Sequence, residues 1–304
     1  MAAEGGNIIW FTYTGADDEV IDDEATHIFV QARVVRARAF RNHPNIVEVI
    51  CDDIVEKIEE HAFYWCLSLR RVIMPNVIIV EAYAFDVCLS LETVECGKLE
   101  IIGGGAFCCC YSLRSMNLSS VRIVDKDAFK CCHALRNVNF GSKLERMEEI
   151  AFYNCESLER ITIPLKDGLI AADNIFWRCD NLHQVHLVEG VHETVATFHL
   201  EEWRNDMNKE IDSINQTLPD TPSGGPGGPG EKTQAMRRWI RSVLRKIIRY
   251  QEGHRRLLEE AATTLEPVLP NNDIVRNNVL PFLKLPSHTF EMGGDDEATR
   301  RPNV

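Results

Sequence analysis

Apolar residues recur with a fixed period along the first 190 residues, with polar residues between them. An Ala-Phe pair returns every 22 to 24 residues, and its aromatic positions are Phe40, Phe63, Phe85, Phe107, Phe129 and Phe152, followed by the variant Ile175-Phe176. Three residues after every Phe except the first stands a cysteine: Cys66, Cys88, Cys110, Cys132, Cys155 and Cys179. Three residues further on comes a leucine, or Ile46 in the first repeat. This regularity indicates one structural unit copied along the chain.

Each repeat contains two elements of strand character. The leucine opens a run with apolar residues three and five positions later, as in Leu113-Met116-Leu118, and polar residues stand between them. Such an alternation is typical of a β-strand with one buried face. A second, shorter apolar element follows in most repeats, for example Leu99–Ile102 or Val121–Val124.

The length of the repeat decides the fold class. One unit cannot bury its own Phe and Leu, so the units must stack into a continuous core. Strands of successive units then lie side by side, about 4.8 Å apart, as a parallel sheet. The sequence therefore predicts a mainly β repeat solenoid over residues 25–190, with an N-terminal cap over 1–24 and a degenerate first strand at 26–30. The cysteine column falls among the buried positions, where a free thiol packs as a small apolar group.

The motif Ala-Phe-x-x-Cys-x-x-Leu-x-x-Ile-x-Ile/Leu resembles the BspA-type leucine-rich repeat, and the resemblance covers about residues 25–190. The helical tail that contains residues 201–207 makes the chain similar to repeat proteins of unicellular algae. The resemblance implies a leucine-rich-repeat solenoid built from short parallel strands. It implies no particular activity.

Helical spacing replaces the repeat after Gly190. The spacing predicts an acidic helix with one apolar stripe over residues 199–218 and a basic amphipathic helix over residues 233–250. A Gly/Pro-rich linker, residues 219–231, is predicted between them. These segments predict a helical C-terminal cap over 191–290, and residues 291–304 are predicted to be a disordered tail.

The two helices are expected to pair. Their opposite charges and matching apolar stripes predict an antiparallel hairpin, a short coiled coil, which covers the open end of the solenoid and shields Trp203 and Trp239. Two alternatives stay open for the basic helix. The spacing of Trp239, Val243 and Ile248 is similar to calmodulin targets, and a basic amphipathic helix also suits an anionic membrane surface, so Trp239–Ile248 is a candidate binding segment.

Composition and charge argue against nucleic-acid-binding, transmembrane and secreted classes of protein. A net charge of −13 argues against a nucleic-acid partner, because phosphate neutralisation needs a surplus of basic side chains. No stretch is apolar enough for a transmembrane segment, and the N-terminus lacks the pattern of a signal peptide. We therefore expect a cytoplasmic protein, with the nucleus as an alternative, and eleven reduced thiols rather than disulfides.

Two groups of cysteines are the strongest candidates for chemistry, Cys108–Cys110 and Cys131–Cys132. Zinc needs four ligands that converge tetrahedrally, whereas adjacent residues tend to point in different directions. His183 and His186 are expected on opposite faces of a strand and so do not form a chelate. The sequence accordingly predicts no catalytic residue, no metal and no cofactor. A metal- or redox-active thiol protein built on these cysteines is kept as the alternative.

The outward strand positions offer a candidate partner-binding face. Its polar, hydrogen-bond-capable residues are Arg71, Thr93, Glu95, Ser115, Asn117, Asn137, Asn139, Arg160, Thr162, Gln184 and His186. The face lacks the aromatic anchors that dominate most protein interfaces. The sequence nevertheless favours a non-enzymatic protein-interaction scaffold, with a protein partner whose identity is not encoded in any motif.

Overall fold

The computed structural model describes residues 8–17, 19–166, 168–170, 172 and 174–188, and the helical positions 233, 234, 236–238, 240, 241, 245, 252, 253, 256, 259, 260, 263 and 264. The predicted helix 199–218, the linker 219–231, the tail 291–304, Trp203 and Trp239 lie outside these residues. The boundaries of the C-terminal cap, the helical hairpin and its coiled-coil pairing therefore stay predictions.

Two parallel sheets run along the repeats. The longer strands are β1 (Trp10–Tyr13), β2 (His27–Val30), β4 (Glu48–Cys51), β6 (Arg71–Met74), β8 (Thr93–Cys96), β10 (Ser115–Leu118), β12 (Asn137–Phe140), β14 (Arg160–Ile163) and β15 (Gln184–Leu187). The shorter ones are β3 (Val34–Val35), β5 (Lys57–Ile58), β7 (Ile79–Val80), β9 (Ile101–Ile102), β11 (Ile123–Val124) and β13 (Arg146–Met147). Within each set, every strand pairs with the equivalent strand of the next repeat, which gives one nine-stranded and one six-stranded sheet.

The predicted solenoid is confirmed, and the alternation of side chains explains its core. In β10, Met116 and Leu118 are buried while Ser115 and Asn117 are exposed, and β8 and β12 show the same alternation. Parallel pairing in register, such as Met116 opposite Val138, places every buried side chain above its counterpart in the next repeat.

The sheet begins earlier than the sequence indicates. Residues 10–13 form β1, which pairs in parallel with β2 along its whole length, Trp10 opposite His27 and Tyr13 opposite Val30. The segment predicted to be the N-terminal cap thus contains an edge strand of the sheet. This strand has no copy of the repeat motif, because it follows no Ala-Phe turn, and only its pairing with β2 shows its role.

A stack of phenylalanine rings forms the centre of the solenoid. All seven repeat Phe side chains are fully or almost fully buried, and successive rings lie with centroids 4.9 to 5.5 Å apart and planes within 14° of parallel. In the second to sixth repeats the Ala before the Phe is also buried, and its carbonyl accepts the N–H of the Phe in the preceding repeat, as Ala128 does for Phe107 at 2.8 Å. A larger side chain at that position would separate the turns.

The cysteine column is buried as predicted, and it adds a hydrogen bond that the sequence does not reveal. Each thiol donates to the carbonyl of the Phe one repeat earlier, for example Cys88 to Phe63 at 3.2 Å and Cys110 to Phe85 at 3.2 Å. The same carbonyl of Phe63 also accepts the N–H of Cys66 at 3.3 Å. Burial raises the pKa of the Cys66 thiol to about 12, so the proton that makes this bond is retained at neutral pH.

The chain divides into two compact units. One comprises residues 1–190 and 211–246, and the other comprises 191–210 and 247–304. In the second unit the described residues are helical, and Thr263 and Thr264 donate their hydroxyls to the carbonyls four residues earlier. Among the described residues, no helix is long and apolar enough to cross a membrane.

In the first unit, a helical residue replaces a missing repeat at the end of the solenoid. The N–H of Phe176 has no following Ala carbonyl to bond, and it donates instead to the hydroxyl of Thr233 at 3.2 Å. Thr233, Met236 and Ile240 are buried, and Arg237 donates to the carbonyl of Ile170 at 3.2 Å. These contacts supply what an additional repeat would otherwise supply.

Candidate functional site

The structure gathers all the predicted outward residues onto one face of the nine-stranded sheet. One column contains Arg71, Thr93, Ser115, Asn137, Arg160 and Gln184, which are paired strand to strand in this order. A second column contains Glu95, Asn117, Asn139, Thr162 and His186. We call these two columns the sheet face.

Several polar side chains of the sheet face already bond to one another. Arg71 donates to Glu95 at 2.7 Å and to Glu48 at 3.2 Å, Arg160 donates to Gln184 at 2.7 Å, and Thr162 to Asn139 at 3.0 Å. Desolvation and, secondarily, the charge of Arg160 lower the pKa of His186 below the usual histidine range. A partner on this face would have to compete with these internal bonds.

A second surface carries exposed aromatic side chains, whereas the two columns named above contain no Phe, Tyr or Trp. It is formed by the turns around each Ala-Phe pair, and we call it the turn face. His61, Tyr64, Trp65 and Tyr83 form a connected group of rings there, with centroids 5.2 to 5.9 Å apart. The guanidinium of Arg41 lies 5.2 Å from the centre of the Tyr64 ring. We call these five residues the aromatic cluster.

The backbone of the turns fixes the direction of these side chains. His61, Trp65 and Tyr83 all have φ between 55° and 62°, in the left-handed region. The same two positions of the turn, just before the Ala and two after the Phe, are left-handed in other repeats, for example at Asp127 and Cys131. A left-handed backbone conformation is unfavourable for residues other than Gly. It is kept here because hydrogen bonds between neighbouring turns hold the backbone in place.

Gly105 makes room for the aromatic cluster. Its φ is 62°, and a Cβ there would lie 2.5 Å from the Tyr83 ring. The ring of Tyr83 thus lies over the backbone of the next turn. The third glycine of the run Gly103–Gly105 therefore allows this ring contact. The alternation along the strands gives no sign of the aromatic cluster, because its residues stand in the turns between strands.

The outer thiols form a separate group. Cys110 and Cys132 belong to the buried cysteine column, whereas Cys108, Cys109 and Cys131 are only half-buried. In the pairs Cys109–Cys110 and Cys131–Cys132 the two side chains point in different directions, as expected for adjacent residues. Cys108 and Cys109 are adjacent too, but their Sγ atoms are only 3.6 Å apart. The left-handed φ of 56° at Cys109 turns its side chain back towards Cys108.

The basic helix is only partly described. Arg238, Arg241 and Arg245 are exposed, while Met236 and Ile240 of the same helix are buried. Trp239, Val243 and Ile248, which carry the spacing similar to calmodulin targets, lie outside the described residues.

The stacked parallel strands, the phenylalanine stack and the repeat length define a leucine-rich-repeat solenoid. The family model "BspA type Leucine rich repeat region" matches the chain with 6 copies, over residues 33–132 and 100–199. The protein belongs to this BspA-type leucine-rich-repeat family. No curated protein matches the chain.

Three solved structures are similar to this chain. A leucine-rich repeat protein from Bacteroides ovatus shares 23% identity at a TM-score of 0.45 and covers 60% of this chain and 42% of its own. A leucine rich cell surface protein from Faecalibacterium prausnitzii shares 19% identity at 0.36, with coverage of 55% and 61%. The T. pallidum leucine-rich repeat protein shares 21% identity at 0.36, with coverage of 68% and 84%. The chain thus matches less than two thirds of the length of the first two.

Proposed function

We propose that the protein is a non-enzymatic scaffold that binds a protein partner through the turn face. The observation that carries this proposal is the exposure of the aromatic cluster: Trp65 is 48% exposed and Tyr83 40% exposed, on consecutive turns of a rigid core. Large aromatic side chains in this position are the residues that most often dominate binding energy at protein interfaces.

Neighbouring side chains extend the same surface. Leu67 and Tyr111 are 41% and 43% exposed and stand at equivalent positions of their repeats, four residues after the Phe. The Tyr111 ring stacks on His133 of the next repeat at 4.7 Å. A row of exposed apolar side chains bordered by polar ones is typical of a protein-interaction site.

The aromatic cluster is favoured over the sheet face for an energetic reason. Its rings are held by the turns, so little conformational entropy is lost when a partner binds. On the sheet face, a partner must displace the bonds of Arg71, Arg160 and Thr162 before it gains its own. The sheet face therefore serves as the matched comparison surface in the test.

The protonation of the thiols supports a non-enzymatic role. Burial raises the pKa of Cys51 and Cys66 to about 12. A nucleophilic cysteine acts as the thiolate, which a raised pKa suppresses at neutral pH.

The cytosol is our proposed compartment, with the nucleus as the alternative. The eleven cysteines form no disulfide with one another, which suits a reducing compartment. A fluorescent fusion expressed in the source cells tests this localisation. We also favour the cap over calmodulin or anionic membrane for the basic helix, because Met236 and Ile240 are already buried in the first unit.

Binding is tested with the full chain carrying Trp65→Ala and Tyr83→Ala together. Proteins captured from the source cells by the wild type are quantified by mass spectrometry against this double variant and against Ser115→Ala with Asn137→Ala on the sheet face. We expect the same partner to be lost from the turn-face variant and retained by the sheet-face variant. The reverse pattern, with both variants folded by circular dichroism, would show that the sheet face binds.

A further inference from the structure

Three metal-binding side chains converge on the turn face, next to the aromatic cluster. Asp86 directly follows Phe85, and Cys108 and Cys109 occupy the first two positions after Phe107 one repeat later. A carboxylate oxygen of Asp86 and the two Sγ atoms all lie within 4.8 Å of one another, and each side chain is half-buried. We call these three residues the thiol–carboxylate group.

The spacing of these donors suits a tetrahedral ion. Zinc binds sulfur at about 2.3 Å and carboxylate oxygen at about 2.1 Å, so two thiolates on one tetrahedral zinc are separated by about 3.8 Å, and a thiolate and a carboxylate oxygen by about 3.6 Å. The observed Cys108–Cys109 separation of 3.6 Å is close to the first value. The Asp86 oxygen lies within 4.8 Å of both Sγ atoms, so small side-chain rotations bring the three donors to zinc.

The fold preforms this arrangement. The left-handed backbone at Cys109 recurs at the equivalent residues Val87 and Cys131, with φ of 61° and 59°. The N–H of Cys109 donates to the carbonyl of Lys130 at 2.8 Å, and the N–H of Val87 donates to the carbonyl of Cys108 at 2.9 Å. Inter-turn hydrogen bonds of the solenoid thus hold both thiols in place before any ligand arrives, which lowers the cost of binding.

One oxygen of the Asp86 carboxylate gives a second observation at the same place. Oδ1 of Asp86 is buried and has no hydrogen-bond partner within the described part of the chain. A buried carboxylate oxygen without a partner is unfavourable, and such atoms are uncommon in folded proteins. A cation between Asp86 and the two sulfurs would satisfy it.

A fourth donor stands on the next turn. The Cys131 thiol interacts with that of Cys109, and its side chain is also half-buried. The amide of Asn154 in turn donates to the Cys131 sulfur at 3.9 Å. Cys131 or a water molecule can therefore complete a tetrahedral set.

We propose that Asp86, Cys108 and Cys109 bind one zinc ion, with Cys131 or a water molecule in the fourth position. Two or three thiolates with one carboxylate form a donor set that zinc accepts and that disfavours magnesium and calcium, which prefer oxygen. The site goes beyond the scaffold role, because partner binding by the aromatic cluster requires no metal.

The test uses the reduced, metal-free full chain. Cadmium chloride is titrated while the ultraviolet thiolate-to-cadmium charge-transfer band is followed, and zinc chloride is then added as a competitor. We expect one equivalent of cadmium, displaced by zinc. Cys108→Ser, Cys109→Ser and Asp86→Asn should each weaken binding at least about tenfold. Cys88→Ala, in the buried column, is the matched control and should leave the affinity unchanged.

A thermal measurement excludes a trivial loss through unfolding. Zinc should raise the melting temperature of the wild type, because a ligand that binds only the folded state stabilises it. Asp86→Asn nearly preserves shape, so its melting temperature without zinc should stay close to that of the wild type, and the zinc-induced rise should be lost. Absence of a charge-transfer band in the wild type, or an unchanged band in Cys108→Ser or Cys109→Ser, would overturn the site.

Discussion

Replacement of Phe107 by Ala tests the phenylalanine stack at its centre. The Phe107 side chain is fully buried between Phe85 and Phe129, with ring centroids at 5.3 and 5.5 Å. Truncation of a buried Phe to Ala usually destabilises a protein by about 3–5 kcal/mol. Stacked rings contribute about 0.5–1.5 kcal/mol per pair beyond buried area, and two pairs are lost here. We therefore expect a value in the upper half of that range.

The loss should also change the cooperativity of unfolding. In a solenoid each repeat contacts only its neighbours, so stability depends on the interfaces between adjacent repeats. A cavity at Phe107 weakens both interfaces of a central repeat at once. Urea denaturation followed by far-ultraviolet circular dichroism should show a lower midpoint and a broader transition than the wild type.

Two control variants define the outcome. Ser115→Ala lies on the exposed sheet face and should change the free energy of unfolding by no more than about 0.5 kcal/mol. Phe107→Leu retains much of the apolar volume and should fall between the two. Equal destabilisation by Phe107→Ala and Ser115→Ala would mean that the assignment of buried and exposed positions in the repeat is incorrect.

Three further predictions concern other parts of the first unit. Burial raises the pKa of thiols such as Cys66 from 9.0 to about 12, so these thiols favour the folded state below pH 9. The free energy of unfolding, measured by urea denaturation, should therefore fall between pH 9 and 12, by up to about 1.4 kcal/mol per pH unit for each such thiol. An unfolding free energy that does not change over this pH range would contradict their burial. Thr233→Val leaves the N–H of Phe176 unpaired and should cost about 1–3 kcal/mol in urea denaturation, whereas Thr233→Ser, which retains the hydroxyl, should cost much less. Gly105→Ala should lower the melting temperature more than Gly168→Ala, because both have positive φ but only Gly105 faces a ring; equal shifts would argue against that contact.

The sequence by itself determined the solenoid. Phe107, Cys110 and Leu113 recur at fixed intervals, and a short repeat with this pattern can bury its apolar residues only by stacking on its neighbours. The alternation in Ser115-Met116-Asn117-Leu118 also fixed which side chains face the core, since successive residues of a strand point to opposite sides. Both inferences depend on local periodicity alone, so a single sequence was sufficient.

Only the tertiary structure decided which groups meet on the turn face and at the ends. The short distance between the Cys108 and Cys109 sulfurs depends on the left-handed φ of Cys109. A left-handed φ at a residue other than Gly is hard to predict from a sequence. The contact of Tyr83 with Gly105 depends on the spacing between turns. The hydrogen bond from the N–H of Phe176 to Thr233 joins residues 57 positions apart, so the period of the repeat does not predict it. The repeat pattern specifies what lies inside each turn, whereas the direction of the outer side chains is set by backbone geometry that the neighbouring turns impose.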